Sequence, residues 1–163
     1  MKDLQDYLTI YLNDHRAGAA AGIGLAHRLW RQNRKGPWAS QLRELLKSVE
    51  AEGETLDAVR GSIGVTGGKF RRTAAVALER ASRLKLNGHV LSYSPLSRVG
   101  ELEALMSGVQ SKLRLWTTLD LATPSVPELV EFDFPTLQRQ SHAQLATLGQ
   151  IHEWAVGQCF VGG

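Results

Sequence analysis

Three ionisable residues, His15, Glu52 and Glu103, sit on apolar helical stripes in three separate stretches of this 163-residue chain. A carboxylate on a buried face is costly unless it is paired, hydrogen-bonded or bound to metal. Such a set would support a mononuclear metal site or an acid–base pair at the centre of a helical domain. The plainer reading is a hydrogen-bonded polar layer that includes Tyr11 or Asp14, and it has more weight because buried polar groups are usually satisfied within the protein. His142 and His152 lie on a helical stretch with few acidic neighbours, and His27 and His89 show no partner. No serine or cysteine stands in a nucleophile setting, and no Gly-Lys-Ser/Thr phosphate loop or dinucleotide fingerprint occurs. "GVTGGKF" follows a helical stretch rather than a strand, so it is not read as a phosphate turn.

The elements that must position these residues are helices. Leu4, Leu8, Tyr11, His15, Gly18, Gly22, Ala26 and Leu29 recur at the 3-4 spacing of one helical face. This predicts a first helix ending near Asn33, with Gly36 as a left-handed cap. Its face is unusual: "YLNDHRAGAAAGIGLAHRL" fills it with glycine and alanine, and each helical glycine costs about 0.5–1 kcal/mol relative to alanine. Small residues four apart let helix backbones come close, and a close helix–helix contact is the expected explanation. A ligand-sized gap is the less favoured one.

Pro37 is expected in the first turn of a second helix, with Trp38, Leu42, Leu45, Val49, Glu52, Leu56 and Val59 on one face. After the glycine-rich "GSIGVTGGK" comes a short third helix with Phe70, Ala74, Ala77, Ala81 and Leu84 inward. The fourth begins at Ser94 as N-cap with Pro95 in the first turn, turning Val99, Leu102, Glu103, Met106, Val109, Leu113 and Trp116 inward. A loop from about Asp120 to Asp133 leads to a last helix from Phe134 to about Cys159, with Leu137, Ser141, Leu145, Leu148, His152 and Ala155 inward. No strand alternation of convincing length appears. The expectation is an all-α chain: one domain over residues 1–163, a ferritin-like up-and-down four-helix bundle with an extra short helix between the second and fourth.

Composition narrows the setting. With 43% hydrophobic and 21% charged residues the chain can close a core. The lone Cys159 offers no disulfide and no cysteine metal site, and no apolar run reaches the roughly 20 residues of a membrane span. A soluble cytoplasmic protein is expected. The net charge of +3 is uneven, because residues 61–98 hold seven Lys/Arg against one Asp/Glu and residues 99–163 hold three against seven. Lys69, Arg71, Arg72, Arg80, Arg83 and Lys85 make a candidate surface for an anion or a partner. Residues 55–78 also imitate a helix-turn-helix, although Gly67 and Gly68 would weaken its recognition helix. Nucleic acid is not favoured, since aromatic residues for stacking bases are missing between the basic ones. A second copy offering Glu101, Asp120, Glu128, Glu131 and Asp133 is preferred, which implies a homo-oligomer.

The stretches "YLNDHRAG", "RLKLNG" and "SPLSRVGELEAL" resemble a small uncharacterised bacterial family of all-helical proteins. The likeness spans most of the chain and implies no assigned activity. In shape it resembles the ferritin-like bundle, whose di-metal members place a Glu-x-x-His pair on each of two helices. No Glu-x-x-His occurs in this sequence, so no di-iron centre is expected. These features favour a non-catalytic interaction or assembly module with no required cofactor, over a metal-binding protein or enzyme built on His15, Glu52 and Glu103, and over DNA binding through residues 55–78.

Overall fold

The computed structural model describes residues 2–65 and 93–162. Their regular elements are all helical: α1 (Lys2–Asn33), α2 (Ala39–Ser62), α3 (Pro95–Ala122) and α4 (Phe134–Val156). Two short 3-10 turns, Thr123–Ser125 and Pro127–Glu131, join α3 to α4, and a π turn, Gly157–Val161, follows α4. No described residue is in a strand. The expected short helix over Phe70–Leu84 and the basic set Lys69, Arg71, Arg72, Arg80, Arg83 and Lys85 lie outside the described residues, as does the second half of the helix-turn-helix stretch.

Local chemistry explains three of the helix ends. Ser94 Oγ accepts from the Ser97 amide at 3.0 Å with Pro95 in the first turn, and Asp133 Oδ1 accepts from the Thr136 amide at 3.0 Å ahead of α4. Each satisfies a helix N–H that has no partner within its own helix. Gly36 departs from its expected role. Among the described glycines only Gly64 and Gly162 have positive φ, 72° and 75°. At the end of α1, Asn33 instead folds its Nδ2 back to the Leu29 carbonyl at 2.7 Å, and the Gly36 amide donates to the Asn33 carbonyl at 2.9 Å. Pro37 stands in the connecting turn, ahead of α2 rather than inside it.

Side-chain pairings give the helix directions. Gln5 reaches the Ile63 carbonyl and Arg16 reaches Asp57, so α1 and α2 are antiparallel. Tyr11 meets Thr118 while Arg28 meets Glu101, so α1 and α3 are antiparallel too. Glu103 with His152, Lys112 with Gln144 and Thr117 with Gln138 set α4 antiparallel to α3. It follows that α2 and α3 run the same way. A strict up-and-down order would have them opposed; here the chain leaves α2 at one end of the molecule and re-enters α3 at the other, about 35 Å away for a helix of this length.

Two apolar cores are stacked along the bundle. One gathers Leu29, Leu42, Leu45, Leu102, Leu148 and Ile151, and the other Leu12, Leu56, Val59, Trp116, Leu119 and Phe134. The connection between α3 and α4 is anchored to the second by Val126 and Leu129, so it is a packed corner rather than an open loop. The functional question lies between the two cores.

Candidate functional site

The glycines of α1 do not meet a neighbouring helix. A Cβ added at Gly18, Gly22 or Gly24 would find no heavy atom within 4 Å, and the same holds for Gly108 on α3. The expected close backbone approach is therefore corrected: Gly18 and Gly22 line a cavity of about 130 Å³. Gly53 of α2 and Gly108 also border it; of these Gly53 alone is tight, with Ile23 Cδ1 3.0 Å from where its Cβ would be. Val49, Leu105 and Val109 from one core and Leu56, Leu115 and Trp116 from the other complete its apolar walls. Three lining residues, Gly18, Gly108 and Ser111, are exposed, so the cavity reaches the surface beside α1 and α3.

A closed polar network stands on its wall. Lys112 of α3 donates to Glu52 of α2 and, at 2.6 Å, to Gln144 Oε1 of α4. Gln144 Nε2 donates to Glu52 Oε1 and to Ser48 Oγ, both at 2.8 Å. Glu52 is only 3% exposed, and the three-way bonding is what makes its burial tolerable. Burial pushes the Lys112 ammonium down to about 7, because taking a cation out of water favours its neutral form. His15 also lines the cavity, with the Tyr11 ring 4.5 Å away edge-on. Burial lowers its pKa and the Asp14 charge opposes that shift. Trp116, 1% exposed, has an indole N–H with no partner among the described residues.

Of the three residues singled out by spacing, the structure brings two to this cavity. Glu103 is on the outer side of α3, where Oε1 meets His152 Nε2 at 3.2 Å and its side chain is 63% exposed. Among the described residues no three His, Cys, Asp or Glu side chains converge as a metal site would need. The inward glutamate of α3 is Glu101, so it does not belong with the exposed acids Asp120, Glu128, Glu131 and Asp133. Lys112 and Gln144 were missed, yet the signal was present: Lys112 is three residues after Val109 and four before Trp116, and Gln144 is three after Ser141 and four before Leu148. Of the other histidines, His142 is exposed, and His27, also exposed, stacks edge-on to Trp30 with ring centres 5.9 Å apart.

A second polar layer closes the other core at the end of the bundle. Glu101 meets Arg28 at 2.6 Å, Arg98 donates to Asn33 Oδ1 at 2.7 Å, and Asn33 donates to the Tyr93 hydroxyl at 3.0 Å. The Arg98 guanidinium is 4.9 Å from the centre of the Trp154 ring and 5.6 Å from that of Tyr93, within reach of cation–π attraction. Burial raises the Glu101 carboxyl, with Arg28 opposing, and lifts the Tyr93 hydroxyl to about 12.

Within the helix-turn-helix stretch, Arg60 is bonded to Asp57 at 2.9 Å and Asn13 at 2.8 Å, which commits it to the contact between α1 and α2. No described helix is long and apolar enough to cross a membrane. No family model matches the chain, and no curated protein or solved structure matches it.

Proposed function

We propose that the chain is a ligand-binding helical bundle that takes one small, mainly apolar molecule with a single hydrogen-bonding group into the cavity between α1, α2 and α3. The cavity itself is the observation behind this reading. Protein interiors are close-packed, yet about 130 Å³ of accessible space is left between these three helices. Gly18, Gly22 and Gly108 maintain that space although alanine would meet nothing there and would favour the helix. A cavity of about 150 Å³ is enough to hold benzene. The polar group of the ligand would bond to Lys112.

The test is a titration with benzyl alcohol followed by the amide resonances of Gly18, Gly22, Gly53 and Gly108. Saturable shifts confined to the cavity are expected. Gly22→Leu should abolish them while raising the unfolding temperature, because the side chain fills space that is open. Absence of saturable shifts in the wild-type chain would overturn the reading.

In architecture we favour the ferritin-like bundle. The parallel course of α2 and α3 supports it, because that shape contains one long crossover. The single cysteine supports a cytoplasmic setting. A self-assembling module is the second reading, supported by Leu4, Tyr7 and Ile10, which stand three apart on α1 at 42%, 70% and 60% exposure. The likeness to a bacterial all-helical family adds no activity to either reading.

A further inference from the structure

Resting on the ligand-binding reading above, we propose that Lys112 captures a small aldehyde or ketone in this cavity as a Schiff base. The charge of the wall selects a neutral ligand. Glu52 is in contact with Lys112 and is itself buried, so an anionic ligand entering here would meet a carboxylate beside the Lys112 ammonium and gain little net attraction. A cationic ligand would meet the ammonium. A neutral carbonyl compound meets neither penalty.

The groups needed for the reaction are already adjacent. Lys112 Nζ is held by Gln144 and Glu52 from α4 and α2 while its own helix lines the cavity. Desolvation makes its neutral form accessible near pH 7, the usual way a lysine becomes a nucleophile. Glu52 accepts the proton that the ammonium gives up. Trp116 lies one helical turn beyond Lys112 and lines the same cavity, an apolar wall against which the ligand's hydrocarbon part packs.

The step balances without an oxidant or reductant. Lys112 passes a proton to the Glu52 carboxylate, and the neutral amine forms a C–N bond to the carbonyl carbon. A proton moves from nitrogen to the former carbonyl oxygen, giving a carbinolamine. The Glu52 carboxylic acid then protonates that hydroxyl, the C–O bond breaks, and one water leaves as the iminium forms. Glu52 returns to its carboxylate, and the positive charge stays on Lys112 nitrogen beside it.

Incubation of the whole chain with benzaldehyde and sodium cyanoborohydride at pH 7, followed by peptide mapping, tests this. The reductant converts the iminium to a stable benzylamine. Lys112 should be labelled about tenfold faster or more than Lys35 and Lys47, which stand exposed on the surface and share neither the burial nor the cavity. The rate should saturate with benzaldehyde and fall when benzyl alcohol competes. Equal labelling of all three lysines, with benzyl alcohol still shifting the cavity glycines, would overturn carbonyl capture and leave the binding cavity standing. Loss of both signals would overturn the two together, and uncompetitive, unsaturable labelling of Lys112 would refute capture from within the cavity.

Discussion

Among the described residues the bundle sets a buried carboxylate against a cation in two places, and space is left beside one of them. At the end layer, Glu101 faces an arginine, Arg98 is bounded by the rings of Tyr93 and Trp154, and the gap there is about 10 Å³, no more than a water. At mid-bundle, Glu52 faces a lysine beside about 130 Å³. The cations differ in kind as well as place. Arginine stays charged under all ordinary conditions, so the end layer is a fixed clamp, whereas a buried lysine can exchange its proton with a neighbour. Charge fixed and space filled point to structure; a transferable proton beside open space points to chemistry.

Removing one cation from each layer separates them. Lys112→Met leaves Glu52 buried and unpaired, and urea unfolding should show a loss of about 3–5 kcal/mol, most of it recovered when Glu52→Leu is added. Arg28 is 42% exposed, so water can replace it, and Arg28→Met should cost only about 1 kcal/mol. Equal losses at the two sites would erase the distinction drawn between them.

The pH dependence of stability sharpens the same contrast. In the folded chain Lys112 titrates at about 7 against its ordinary 10.5. Between those values the unfolded chain binds a proton that the folded chain lacks, so Lys112 should make stability rise with pH from about 7 to 10.5. The end layer works in the opposite sense, and only higher up: burial lifts the Tyr93 hydroxyl from 10.0 to about 12, so above about pH 10 the folded chain keeps a proton that the unfolded chain loses and stability falls. Unfolding midpoints measured between about pH 7 and 9, below the range where Tyr93 contributes, for wild type and for the Glu52→Leu, Lys112→Met double variant, should rise with pH only in the first. A wild-type slope of opposite sign would mean that attraction to Glu52 outweighs burial.

What the sequence made legible follows from what spacing can and cannot encode. The inward course of Glu52 was readable because it continues the row from Val49 to Leu56, and the Ser94 cap was readable because its hydrogen bond is local. Lys112 and Gln144 occupy rows just as regular, but lysine and glutamine are ordinarily placed in water, and only the cross-helix bonds to Glu52 make them inward residues. The glycine stripe was visible as a pattern while its meaning was not. Whether small residues face a backbone or a void depends on how three helices are spaced, and no single stripe determines that.

Glu103 provides the smallest effect and the clearest contrast with Glu52. Both were chosen from sequence for the same reason, an acid close to an apolar stripe, yet a helix places residues about 100° apart, and the row from Val99 through Leu102, Leu105 and Val109 leaves Glu103 outside it. Its bond to His152 spans exposed surface, where an ion pair gains little and water replaces it readily. Glu103→Ala should therefore change stability by no more than about 0.5 kcal/mol, leave benzyl alcohol binding unaltered and leave Lys112 as reactive as before. A loss of binding in this variant, with the fold intact by circular dichroism, would place the functional centre on the outer side of α3 and remove the mid-bundle cavity from its role.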